Sequence, residues 1–234
     1  VADMKEKGIK TVGFVGFNDS WGELLLKALT KTSDAAGIKI VATERFARTD
    51  TSVTGQALKV VAAKPDAVFT FFAGGGAVKF VKDYAAAGLK KTIPLYGSGF
   101  LTDGTLNAQG ADADGLFTAL HDADALNTPR DTPFRLAYAK TYKLQPDVYA
   151  VQGYDAAQML GIGMAAVKGD ISKKAEFSAA VEKAKIDSPR GAFTLSKAHN
   201  PVQDFYLRQV GDKENKLVSI ASKALADPAR GCKM

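Results

Sequence analysis

The sequence predicts an α/β chain in which a doubly wound, parallel sheet is followed by a smaller helical region. Three observations carry that fold class. Strand-like and helix-like segments alternate five times through about the first 120 residues. The strand-like runs are apolar almost throughout, as in Ala67-Val68-Phe69-Thr70-Phe71-Phe72, which is the pattern of a sheet covered on both faces. Beyond Asp122 the alternation stops, and helical periodicity continues with no strand between the helices.

In chain order, residues 1–8 read as the end of a helix, with Gly8 at the left-handed stop. A β-branched and aromatic run over 9–17 predicts a strand. After Asn18-Asp19-Ser20, apolar residues recur at Trp21, Leu24, Leu25, Ala28 and Leu29, one face of a helix. Ser20 and Glu23 stand in the S-x-x-E relation, so Ser20 is predicted to cap that helix. The unit then repeats: strand 38–46, helix 53–63, strand 67–72, helix 77–87, strand 93–97, a short helix 103–108 and strand 115–120. A polar connector over 124–131 leads to helices at 132–142, 147–167 and 172–185. Three helices alone make a poor core, so their apolar faces require another partner. Short β runs follow at 191–195, 204–210 and 216–220, with Gly211-Asp212-Lys213 as the turn between the last two.

The length of 234 residues allows one large domain or two small ones, and 46% hydrophobic with 24% charged residues is a globular composition. The longest apolar stretch, 156–167, is too short to span a bilayer and contains Gln158; a membrane-embedded protein is not expected. The net charge of +6 comes from scattered lysines and arginines rather than a run, so no nucleic-acid partner is expected, although a mildly basic surface favours anions. Cys232, His121 and His199 are too few for a zinc site. The strand-to-helix turn over 14–21 reads F-V-G-F-N-D-S-W, with neither phosphate-binding glycine motif. No metal and no cofactor is expected.

Sheets of this class bind ligands beyond the carboxyl ends of their strands, which selects the loops at 17–20, 73–76, 97–101 and 121–124. Gly74-Gly75-Gly76 is either a tight turn or a place where backbone N–H groups meet an anion. Ser98, in Tyr96-Gly97-Ser98-Gly99-Phe100, is one residue short of a nucleophile elbow, and with His121 and Asp122 it could form a hydrolytic triad. His121 is otherwise a polar strand end or a hydrogen-bond donor facing a cleft. Trp21 is either a flat cover for a ligand or a hydrophobic lid on its own helix. Tyr149 and Tyr154 fit a core as well as a site.

Four stretches carry a family resemblance: G-F-N-D-S-W-G-E-L-L from Gly16, V-K-D-Y-A-A-A-G-L-K from Val81, Y-G-S-G-F from Tyr96, and D-V-Y-A-V-Q-G-Y-D-A-A-Q-M-L from Asp147. In this order and spacing the chain resembles the periplasmic solute-binding proteins of ABC transporters of the branched-chain amino acid type. The resemblance implies the type I two-lobe fold, with 1–121 as lobe two, 122–188 as helices of lobe one, and 189–234 as the return crossing and last strands. It also implies that the sheet of lobe one lies in an N-terminal portion of about a hundred residues, half-domain size, outside this chain. A cysteine there would be a partner for Cys232. No catalysis is implied; the partners would be a small ligand and a membrane permease, and the compartment the periplasm.

Carried over by position, the aromatic residue that closes over the ligand falls at Trp21 and a second hydrophobic contact at Tyr149. A further aromatic contact falls at Gly75 or Gly76, so that wall is lost. The acid that holds a ligand ammonium falls at Gly99, so that anchor is lost too. An ammonium buried without a counter-charge costs several kcal/mol, and the expected ligand is therefore a carboxylate with an apolar or aromatic body. Asn18, Ser20, Ser98, Phe100, His121 and Gln152 complete the expected site. Alternatives are an amino-acid binder whose counter-charge has moved to Asp19, Asp103 or Asp155, a Ser98/His121 hydrolase, and a sensing domain on the same fold.

Overall fold

The computed structural model describes residues 1–50 and 52–229, and the expectation for Cys232 lies outside them. The chain divides into two compact units, one formed by Val1–Leu120 with Leu207–Ala221, the other by His121–Tyr206 with the residues from Ser222 onward. The architecture is the mixed α/β one, with a parallel-dominated sheet and flanking helices.

Unit 1 begins with helix α1 (Ala2–Glu6), which stops at Gly8 in the left-handed region. Strand β1 (Thr11–Phe17) is buried along nearly its whole length, as its unbroken apolar run requires. Helix α2 (Ser20–Ala36) packs back toward strand β2 (Lys39–Phe46), and helix α3 (Thr54–Ala62) leads to strand β3 (Ala67–Phe71). Helix α4 (Gly74–Ala86) precedes strand β4 (Leu95–Ser98). A 3-10 turn at Gly99–Leu101, the one-turn helix α5 (Leu106–Gln109) and strand β5 (Phe117–Leu120) complete the series. The strands stand in the order β2-β1-β3-β4-β5, with parallel pairing from β2 through β5. Strand β7 (Pro201–Gly211) follows β5 in that order. The core of the unit is an aromatic stack: Phe72 lies 4.7 Å from each of Phe17, Phe46 and Phe80, centroid to centroid.

Three local expectations are corrected. Asp19, not Ser20, caps α2: its Oδ1 accepts from the Gly22 N–H at 2.9 Å, Ser20 is already helical, and Glu23 pairs with Arg45 instead of reaching back. Helix α4 starts three residues before Ala77, so the three glycines form its first turn rather than a loop. The short helix expected over 103–108 is helical only from Leu106, as α5, because residues 102–105 form a turn in which Thr105 Oγ1 and Gln109 Nε2 both donate to the Leu101 carbonyl.

Unit 2 holds helices α6 (Asp131–Tyr142), α7 (Val148–Ala166) and α8 (Lys174–Glu182), then strand β6 (Thr194–Leu195), antiparallel to the start of β7. Strand β8 (Glu214–Leu225) pairs with β7 through a turn whose Asp212 and Lys213 are both left-handed, the geometry that matches strand twist. Helix α7 is apolar all round, yet within it only Val148, Val151, Asp155 and Gly163 are buried, while Leu160 and Met164 face outward.

Candidate functional site

In unit 1 the expected residues collect at one edge of the sheet. Strands β1, β3 and β4 are adjacent and parallel, so the segments after their carboxyl ends line up. Asn18, Ser20 and Trp21 follow β1, Gly75 follows β3, and Ser98, Gly99 and Phe100 stand at the end of β4. Asp19 orders the first of these segments. Its second oxygen accepts from Arg48 Nε at 2.8 Å, and the Arg48 guanidinium lies 4.1 Å from the centre of the Phe17 ring. The Gly22 N–H and the Arg48 guanidinium hold the Asp19 carboxyl below the usual carboxylate range. Trp21 is 64% exposed and therefore is no lid on its own helix. Gly75 has open space where a Cβ would stand.

The end of β4 is held more tightly. Gly99 is buried, and a Cβ there would come within 2.5 Å of Leu120 Cβ and 2.8 Å of an Arg208 nitrogen. Arg208 Nη2 donates to the Gly99 carbonyl at 3.2 Å and to Asp103 Oδ2 at 2.6 Å, and its Nε donates to Thr118 Oγ1 at 3.1 Å. Ser98 Oγ is shielded from solvent and has no hydrogen-bond partner among the described residues.

In unit 2, Gln152 Nε2 lies within hydrogen-bond distance of His121 Nε2, at 3.1 Å. The Phe205 ring stands edge-on to the imidazole. Gln152 and Asp155 share one face of α7, three residues apart. Asp155 Oδ2 accepts from Arg190 Nε at 2.8 Å and Ser188 Oγ at 3.0 Å, all three side chains being buried. Arg190 also donates to Gln203. His121, Arg190, Gln203 and Tyr206 line a hollow of about 210 Å³. Gln152 borders another of about 370 Å³, walled by Met159, Phe177, Val181 and Phe193. Tyr149 is half exposed at the start of α7, where the Asp147 cap accepts from its N–H at 3.0 Å. Tyr154 packs on Phe134 at 5.0 Å.

Arg190 and Arg208 were not anticipated. Alternation along β7 contains the signal for one of them, since residues 208 and 210 share a face and Val210 belongs to the core. Arg190 carries no comparable signal, because it lies in a connection without periodicity. Together with Arg48 these arginines account for each acid that offered a relocated ammonium contact: Asp19 pairs with Arg48, Asp103 with Arg208 and Asp155 with Arg190. Among the described residues no group of three His, Cys, Asp or Glu is placed to hold a metal, and no helix is long and apolar enough to cross a membrane.

A family model described as periplasmic binding protein matches residues 1–215. No curated protein matches the chain. The solved structure of an ABC transporter solute-binding protein from R. palustris in complex with benzoate is 42% identical with a TM-score of 0.94; the alignment covers 99% of this chain and 64% of that one. A solute-binding protein from Rhodopseudomonas palustris BisB5 in complex with 3,4-dihydroxybenzoic acid is 28% identical, with a TM-score of 0.87 and coverage of 97% and 64%. A leucine-binding protein from Thermotoga maritima, 16% identical with a TM-score of 0.80 and coverage of 93% and 62%, shares the fold. The chain thus spans somewhat less than two thirds of each of these structures' chains.

Proposed function

Because the chain belongs to the periplasmic binding protein family, of the branched-chain amino acid ABC transporter type, we propose that it is the ligand-capturing component of an importer for aromatic carboxylates. Its cargo is benzoate or a close relative, its compartment the periplasm, and its downstream partner a membrane permease. Capture follows the clamshell scheme, in which the ligand binds the closed arrangement better than the open one and so shifts the population. Of the residues expected to contact the ligand, Asn18, Ser20, Trp21, Gly75, Ser98, Gly99 and Phe100 belong to unit 1, and His121, Tyr149 and Gln152 to unit 2.

The observation that carries this reading is the pairing of Asp19, Asp103 and Asp155 with arginines. At these three acids an ammonium would have to displace an arginine, which costs several kcal/mol, whereas a carboxylate does not compete for them and is met instead by hydrogen-bond donors. The relatives with benzoate and dihydroxybenzoate point to the same ligand chemistry. Trp21 is the only tryptophan, so its fluorescence reports on the site. Titration with benzoate is expected to give a saturable change at micromolar concentration that leucine does not reproduce; a saturable change with leucine alone would overturn the assignment.

A further inference from the structure

Arg208 is 1% exposed and is the largest fully buried side chain among the described residues. It enters from β7, passes β5 with a bond to Thr118, and ends on the turn after β4. There the Gly99 carbonyl also accepts from the N–H groups of Thr102 and Asp103, at 3.1 Å each. Thr102 Oγ1 in turn donates to Asn215 Oδ1 on β8 at 2.6 Å. A buried ion pair such as Arg208–Asp103 gives little net stability over apolar residues of similar volume. What an apolar side chain could not do is bond a backbone carbonyl and neutralise a buried acid together.

We propose that Arg208 is a positioning and specificity-determining residue for ligand capture. By binding the Gly99 carbonyl it fixes the turn that presents Ser98 and Phe100. By occupying the space beside Gly99 and consuming the charge of Asp103, it leaves the turn after β4 without a free carboxylate of Asp103 to offer an ammonium. The proposal rests on the aromatic-carboxylate reading for its ligand and on the geometry of unit 1 for the positioning.

The test compares the protein with the double variant Arg208→Gln/Asp103→Asn, which leaves no buried ion unpaired, and with Arg208→Lys, which keeps the charge but not the fork of donors. The readouts are benzoate affinity by calorimetry, thermal melting, and amide exchange over residues 98–103. The double variant is expected to melt cooperatively, exchange faster over 98–103 alone, and bind benzoate at least tenfold more weakly; Arg208→Lys is expected to fall between. A cooperatively melting double variant with unchanged benzoate affinity overturns the proposal. If the unaltered protein ignores benzoate, the ligand reading fails and the exchange data decide the positioning role: selective acceleration supports it, and an unchanged pattern removes it. A double variant that does not fold leaves the decision to Arg208→Lys, whose affinity and exchange must then both change for the proposal to stand.

Discussion

Trp21 stands at the carboxyl end of β1 with most of its ring in solvent, so its removal separates binding from stability. Trp21→Ala is expected to leave the melting temperature nearly unchanged, as exposed positions do. The same change should weaken benzoate binding by about 1–3 kcal/mol, the scale of one buried aromatic contact, and calorimetry on both proteins reads the two effects. Gly99 is the opposite case. With Leu120 Cβ 2.5 Å from where its own Cβ would stand, Gly99→Ala is expected to cost about 1–3 kcal/mol through overpacking, measured as a shift of the urea midpoint. The sequence exposed both residues because each sits at a strand's carboxyl end, and the fold class singles out that edge. It did not expose the Arg190–Asp155 pair, since partners brought together from a helix and an irregular segment leave no mark in local periodicity.

At the scale of elements, strands β1 and β3 were readable because a strand buried on both faces is apolar at nearly every position. Helix starts were less so. The capping-box pattern pointed to Ser20, but Asp19 also had Arg48 within reach and took the cap. Helix α4 starts at Gly74 behind Ala73, which supplies no side-chain cap, so no capping residue type marked its beginning. Asp19→Ala is expected to lose about 1 kcal/mol of stability, a typical cap contribution. Asp19 also predicts a pH dependence. Its folded-state pKa is depressed, so its contribution is full above the unfolded carboxylate pKa of about 4 and is lost as the pH falls through the lower folded value. Asp19→Asn keeps a capping oxygen but does not titrate. Its urea midpoint should therefore fall less steeply than that of the unaltered protein between about pH 5 and pH 2.

For the molecule as a whole, the chain passes between its two units at residues 120/121, 206/207 and 221/222. His121 is the first residue past one of these passages, and Arg208 stands two residues after another. A ligand favouring a closed arrangement stabilises the native state by mass action, about 2.7 kcal/mol at a hundredfold excess over Kd. For a chain of this size that corresponds to about 5–10 °C in melting temperature. Differential scanning fluorimetry with benzoate is expected to show that rise, with no rise for leucine at the same concentration.

The central claim is that the site receives an acid without a cationic head group, because Asp19, Asp103 and Asp155 are each already bound to an arginine. Calorimetric titration of the same protein sample with benzoate and with leucine at neutral pH tests it most directly. Benzoate is expected to bind with a stoichiometry of about one and leucine to give no heat beyond dilution, the pattern of an affinity difference above a hundredfold. Tight leucine binding, with benzoate silent, would contradict it.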